Sequence, residues 1–556
     1  MKRGKQLTIG LLMCALLAGL LSGCGAGGGK TASATEAAVK AEAGSYASET
    51  MAAQSQWDGA VMEAEGPPLS HNTEEYNYIA ENAFLAVANA PLSTFAADVD
   101  TASYANIRRK ILEGNEVPAD AVRIEEMLNY FTYDYPEPME GEPFSVTTYI
   151  GDCPWNENHK LLQIGLQAEK PDLEDQKPSN LVFLIDVSGS MESADKLGLV
   201  KRAFLLLTEN LRPEDTVSIV TYASSDTVVL DGVSGEEKAA IMTAIENLTA
   251  GGSTDGSKGI ETAYRLAEEH FQKDGNNRVI LATDGDLNLG LTSEGDLTRL
   301  IQKKKESGVF LSVMGFGTGN IKDNKMEALA DNGNGQYAYV DSLMEAKRVL
   351  VEELGGTLFT VAKDVKLQVE FNPAKVKGYR LIGYENRLME ARDFDDDAKD
   401  GGEIGAGHRV TALYELVPAG SDEDLGEVEL KYGAGNASAA GNGENGGAEV
   451  KPAEGAPAPG ADSEWLTLKV RYKEPDGDQS RLLEYPVDDS AVCRELPPDM
   501  RFASCVAQTG MLLRDSEYAG GSSYKAIAAE LERVDGLHGD PYKEEFLYLV
   551  KRLAAM

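Results

Sequence analysis

Three short segments hold side chains suited to gripping a hard cation. The first reads Asp186-Val187-Ser188-Gly189-Ser190-Met191, the second Gly251-Gly252-Ser253-Thr254-Asp255, and the third Thr283-Asp284-Gly285-Asp286. Asp186, Ser188, Ser190, Thr254 and Asp284 offer two carboxylates and three hydroxyls, all hard oxygen donors. Mg2+ takes such oxygens in near-octahedral geometry at about 2.0–2.1 Å. The i, i+2, i+4 spacing of the first three lets one extended turn aim them at a single point, and Gly189 lets the backbone pass close. The set falls short of six ligands, and its hydroxyls are neutral. A bound ion would keep water, some net positive charge and an exchangeable position. Any one of these residues alone reads as a helix cap or turn former; the set points to a metal.

A scaffold has to bring such residues together, and the surrounding pattern supplies one. Residues 180–187 form a continuous apolar run, the mark of a parallel strand buried on both faces. Further strands are predicted at 216–222, 227–230, 278–283, 309–316 and 336–340, with helices at 196–211, 236–248, 257–271, 294–308, 324–331 and 342–354. Strands alternating with helices imply a mostly parallel sheet flanked by helices. Ligands in such sheets sit beyond the carboxyl ends of the strands; the three segments lie just after strands or before helices, so a parallel sheet would bring them together on one edge. The predicted fold class is α/β, over 177–356.

The rest of the chain changes period on either side. Residues 69–140 are expected to be helical: 102–113 sets Tyr104, Ile107 and Ile111 on one face, and Pro118 opens a second helix with a stripe of Val122, Ile124, Met127, Leu128 and Phe131. From 357 to 490 the period is two, with strands at 365–371, 379–388, 410–417, 427–431, 465–472 and 482–486. Residues 432–463 are low-complexity and read as a disordered surface loop. Two strands at 144–150 and 160–166, within 141–176, are expected to join this β-sandwich-like domain, which makes the α/β unit an insertion. A C-terminal helical region spans 491–556, with helices at 499–514, 523–534 and 542–554.

Asp186-x-Ser188-x-Ser190 with a distant Thr254 and then Asp284 resembles the metal-ion-dependent adhesion site of von Willebrand factor type A (VWA) domains, whose fold is Rossmann-like. The resemblance implies that Ser188, Ser190 and Thr254 are hydroxyl ligands and that Asp186 and Asp284 act directly or through water. It also implies that the open position takes a carboxylate from a partner. Outside this unit, Asp98-Val99-Asp100-Thr101-Ala102-Ser103-Tyr104, Arg123-Ile124-Glu125-Glu126-Met127-Leu128, Thr411-Ala412-Leu413-Tyr414-Glu415 and Leu512-Leu513-Arg514-Asp515-Ser516 are similar to segments of the bacterial YfbK-type VWA lipoproteins. That likeness covers most of the chain.

The net charge of −39 argues against a nucleic-acid partner, which needs clustered Lys and Arg. Lys2, Arg3 and Lys5 precede an apolar stretch, 7–21, shorter than the ~20 residues of a membrane span. Leu21-Ser22-Gly23-Cys24 follows and resembles a bacterial lipobox. The expectation is a signal peptide at 1–23, lipidation at Cys24, a flexible Ala/Gly/Ser/Glu-rich tether over 24–68, and anchorage to the extracytoplasmic face of the cell membrane. Cys153, Cys493 and Cys505 are too few for a disulfide framework, although a Cys493–Cys505 bridge is conceivable.

Other motifs carry less. The acidic run from Asp393 to Asp400 lacks the Gly and Glu that an EF-hand places at its sixth and twelfth positions. No pair of the five His residues has zinc spacing, and His408 reads as structural. Neither a GxSxG elbow nor a phosphate-binding loop occurs. The chain is therefore expected to be a binding module without catalytic residues, holding Mg2+ (Mn2+ or Ca2+ as alternatives) and capturing an Asp or Glu side chain of an unknown protein partner. An envelope scaffold with a dispensable metal site and a metal-dependent hydrolase are the alternative readings.

Overall fold

This computed structural model describes residues 74–170, 177–252, 257–273, 275–285, 294–319, 321–353, 359–397, 399, 401–426, 463–475, 477 and 479–556. The leader, Cys24, the tether, Thr254 and the strand expected at 427–431 lie outside them, as does nearly all of the loop expected at 432–463.

Two short strands, β1 (Leu85–Ala86) and β2 (Leu92–Ala96), occur where the helical reading of 69–140 expects none. They are too short to show an alternation. Their partners are remote: β2 pairs residue for residue with 366–370, and Leu85 lies opposite Tyr379. Helix α1 (Ala102–Glu113) matches its predicted bounds and ends at Gly114, whose φ of +76° suits glycine. Pro118 does not open the next helix. It caps a 3₁₀ turn at Ala119–Ala121, and α2 (Ile124–Asn129) begins later.

All five residues of the predicted stripe are buried, but so are Glu125 and Glu126 on the opposite side of α2. Glu126 accepts hydrogen bonds from the Ser103 amide at 2.8 Å and from Arg123, which also pairs with Asp323. Burial, and after it the charge of Glu385, pushes Glu125 up to about 7. An unfolded chain would release that proton near 4.5. Between those two values the folded state binds more protons than the unfolded one, so Glu125 subtracts stability as pH rises from about 4.5 to 7, and by about 3 kcal/mol in all. Glu125→Gln removes this linkage. Relative to the parent, the variant should gain stability progressively over that interval and hold the gain above it. Urea denaturation at pH 5 and pH 8 checks this, and an equal difference at both would refute it.

Strands β3 (Phe144–Asp152) and β4 (Lys160–Ala168) form a hairpin. The α/β unit then runs β5 (Ser179–Asp186), α3 (Leu197–Glu209), β6 (Thr216–Tyr222), β7 (Asp226–Ser234), α4 (Lys238–Glu246), α5 (Ser257–Glu269), β8 (Asn276–Thr283), α6 (Glu294–Lys305), β9 (Phe310–Phe316), α7 (Asp323–Asn332), β10 (Tyr337–Val340) and α8 (Leu343–Lys347). Its sheet has the order β10-β9-β8-β5-β6-β7, parallel throughout except at the β6–β7 hairpin. Pairing with β6 extends β7 well beyond the short strand expected at 227–230. The helix expected at 342–354 is instead the short α8 followed by a π-helical turn at Arg348–Glu352. Strand β5 explains its own apolar run: Leu181, Phe183 and Ile185 enter the core on one face of the sheet, and Val182 and Leu184 enter the core on the other.

Beyond this unit come β11 (Thr360–Phe371), β12 (Val376–Ile382), β13 (Leu388–Met389), β14 (Gly402–Gly405), β15 (Arg409–Pro418), β16 (Glu464–Lys473) and β17 (Ser480–Asp488). Two antiparallel sheets, β1-β12-β15-β4-β3 and β13-β2-β11-β16-β17, enclose a shared core that includes Phe95, Ile164, Leu367, Tyr414 and Leu468. Because β4 pairs with β15 from Lys160 to Gln167, the α/β unit is spliced into this sandwich between β4 and β11. The helices α9 (Pro498–Leu513), α10 (Tyr524–Leu531) and α11 (Pro541–Leu553) pack with α1 and α2 around Tyr104, Phe131, Phe502 and Phe546. Cys505 is a small buried residue of α9, and Cys153, Cys493 and Cys505 are all free thiols. Among the described residues no helix is long and apolar enough to cross a membrane.

Candidate metal centre

Strands β5 and β8 lie side by side in parallel with Ile185 opposite Ala282, so Asp186 and Asp284 emerge from neighbouring strand ends. Both are fully buried or nearly so. The turn after β5 folds back on Asp186, whose Oδ1 accepts the Ser188 amide at 2.8 Å and whose Oδ2 accepts the Thr283 hydroxyl at 3.3 Å. The Ser188 and Ser190 hydroxyls stand 3.0 Å apart. The glycine pair is docked on the same turn: the Gly251 amide donates to the Val187 carbonyl at 2.8 Å, and the Gly189 amide to the Gly252 carbonyl at 3.0 Å. Gly252 has φ +88°, and a Cβ there would meet the Ser224 hydroxyl at 2.6 Å.

Asp186, Ser188, Ser190 and Asp284 thus meet at one rim, with the Gly251–Gly252 backbone beside them. Thr254 lies outside the described residues. Burial pushes Asp186 up to about 6, against the hydrogen bonds from Ser188, and the nearby charge of Asp284 pushes the same way. A carboxylate held like this is short of counter-charge, and two hydroxyl oxygens stand beside it. The donors fit a hard divalent ion, with Asp186, Ser188, Ser190 and Asp284 to hold it. Among the described residues no three His, Cys, Asp or Glu side chains cluster to hold a metal, so any such site depends on the hydroxyls.

One member was not visible in the sequence. Lys196, which reads there only as the start of a helix, reaches back from the N-terminus of α3 and donates from Nζ to Asp284 Oδ2 at 2.8 Å. Its side chain is 9 % exposed and that of Asp284 0 %. Of the other candidates, His408 contacts Gln336 and is depressed to about 4 by burial and then by Arg348, Arg409 and Arg278, in keeping with a structural role. In the acidic run, Asp395 and Asp397 are paired with Arg471.

Comparison with known proteins identifies the family. Residues 180–353 match the model of the von Willebrand factor type A domain, 70–163 a model described as von Willebrand factor, and 356–556 the C-terminal model of the uncharacterized protein YfbK. The chain is 40 % identical over 486 residues to the uncharacterized protein YfbK of Escherichia coli (strain K12), covering 86 % of this chain and 81 % of that one. It is 27 % identical over 192 residues to the uncharacterized protein sll0103 of Synechocystis, covering 34 % and 44 %. Among solved structures, the von Willebrand factor type A protein from Catenulispora acidiphila aligns over 76 % of this chain and 91 % of its own, at 16 % identity and a TM-score of 0.38. The chain belongs to the YfbK-like family of von Willebrand factor type A domain proteins.

Proposed function

We propose that the chain is a cell-envelope lipoprotein, tethered through Cys24, whose VWA unit takes up a divalent cation and uses it to hold an acidic side chain of a protein partner. Mg2+ is the expected ion, with Asp186, Ser188, Ser190, Thr254 and Asp284 as its ligands. The observation that carries this reading is the convergence of the β5 turn and the β8 end, which sets two buried carboxylates and two hydroxyls at one rim of the sheet. When bound, the ion supplies a Lewis-acid contact for a carboxylate oxygen. The chain's own part is to hold the donors still. The Ser188 amide and Thr283 hydroxyl fix Asp186, and the two inter-loop backbone bonds fix the turn against the glycine pair. No general base is required by this role, and the protein is read as a binding module.

Two measurements test it. Titration calorimetry with Mg2+ and with Mn2+ should show uptake of one ion per chain. A crosslinking pull-down from cells should lose its captured protein when EDTA is present. A partner held equally well by the metal-free protein would show that capture does not use the ion.

A further inference from the structure

The buried ion pair between Lys196 and Asp284 sits inside the proposed metal site. Its geometry is built. Lys196 precedes α3 with φ −109° and ψ −107°, outside the helical region, which turns the side chain away from the helix and across the end of β9. The stem passes directly over Gly317, which has φ +76° and where a Cβ would stand 2.2 Å from Lys196 Cγ. Gly317 is held in turn by the Tyr339 hydroxyl, which donates to its carbonyl at 2.6 Å. The ammonium therefore reaches Asp284 along a channel that only a glycine leaves open.

The consequence is one of charge. With Asp186 and Asp284 alone, a divalent ion would be formally neutralised and would attract a further carboxylate weakly. Lys196 returns one positive charge to the site, so the loaded site is cationic by one unit and becomes neutral when a single carboxylate joins it. This matters in a chain whose net charge is −39, where the surrounding field repels an acidic ligand.

We infer that Lys196 sets the anion preference of this site: it weakens the hold on the metal and strengthens the hold of the loaded site on a carboxylate. The inference rests on the metal-site reading given above.

The probes are Mn2+ alone, followed by electron paramagnetic resonance, and acetate, followed by its proton relaxation on the Mn2+-loaded protein. Lys196→Met removes the charge. Lys196→Gln removes it while keeping a donor to Asp284, and serves if the first variant fails to fold. The neutral variant should bind Mn2+ about tenfold more tightly and acetate about tenfold more weakly than the parent. Unchanged or weaker Mn2+ binding in Lys196→Gln, with Asp186→Ala still abolishing it, would overturn the role of Lys196 and leave the metal site standing. Mn2+ uptake that is indifferent to Asp186→Ala, or absent from every form, would overturn the site and this inference together.

Discussion

Asp186→Ala should abolish uptake of Mg2+ and Mn2+, lowering affinity by at least about 100-fold, while the protein stays folded. Loss of an outer-sphere partner alone costs 10- to 100-fold in metal affinity, and Asp186 stands among the proposed ligands at the first strand end. The fold should survive because the substitution removes a buried carboxylate that burial already holds up to about 6, and leaves only the Ser188 amide and the Thr283 hydroxyl, which can turn to another acceptor, to be satisfied elsewhere. The stability cost is then about 1–3 kcal/mol. Asp284→Ala is a poorer test of the same site. It leaves the Lys196 ammonium buried without the carboxylate it pairs with, which costs about 3–5 kcal/mol, so lost binding there would be confounded with partial unfolding. Calorimetric titration of Asp186→Ala, with circular dichroism to check the fold, decides the matter. Parental Mn2+ affinity in a folded variant would place the ion elsewhere.

The second large effect is expected at Arg108 of α1, 2 % exposed, which ties three parts of the molecule together. Its guanidinium bonds Asp341 after β10, Glu345 of α8 at 2.9 Å, the Tyr130 hydroxyl at 2.7 Å and Glu545 of α11 at 3.2 Å. Burial alone would raise Glu345, but Arg348 and Arg108 together hold its carboxyl below the usual range. Arg108→Met leaves three carboxylates facing one another, one of them still paired with Arg348. Breaking a buried pair from one side costs about 3–5 kcal/mol, a large share of the 5–15 kcal/mol typical of a domain. The urea midpoint should fall accordingly, while Mn2+ uptake at the ends of β5 and β8, two or more strands away from β10, remains. An unchanged midpoint would mean that this guanidinium does not hold α1 and α11 to the VWA unit.

What could be read from the sequence followed from how local each signal is. Asp186, Ser188 and Ser190 share one turn, and Asp284 ends a strand recognisable by its apolar run, so the donors and the sheet order that gathers them follow from short-range pattern. Lys196 does not, because its role depends on passing over Gly317, more than a hundred positions away. Strands β1 and β2 were hidden for a related reason: five residues or fewer carry no period, and only pairing with β11 and β12 makes them strands. Glu125 and Glu126 look like the solvent side of an amphipathic helix, yet α2 is buried all round, with Glu126 neutralised by Arg123, a residue of the same short motif. Periodicity finds a helix with one wet face and cannot identify one whose second face is covered by a remote domain.

The splice between β4 and β11 has a mechanical side. Ser179 at the start of β5 and Glu353 and Phe359 at the far end of the inserted unit border the same cavity of about 870 Å3, at the edge of the sheet opposite the rim proposed to bind the ion. A partner tugging on that rim therefore stretches β5 lengthwise between its captured end and its anchored end. β5 is flanked by β6 from Asn180 to Asp186 and by β8 from Ser179 to Ile185. The hydrogen bonds on both flanks would have to slide and break together rather than peel one at a time. In that arrangement the central strand is a shear-loaded tendon, and rupture under tension would be expected at the ion contact before the sheet gives way.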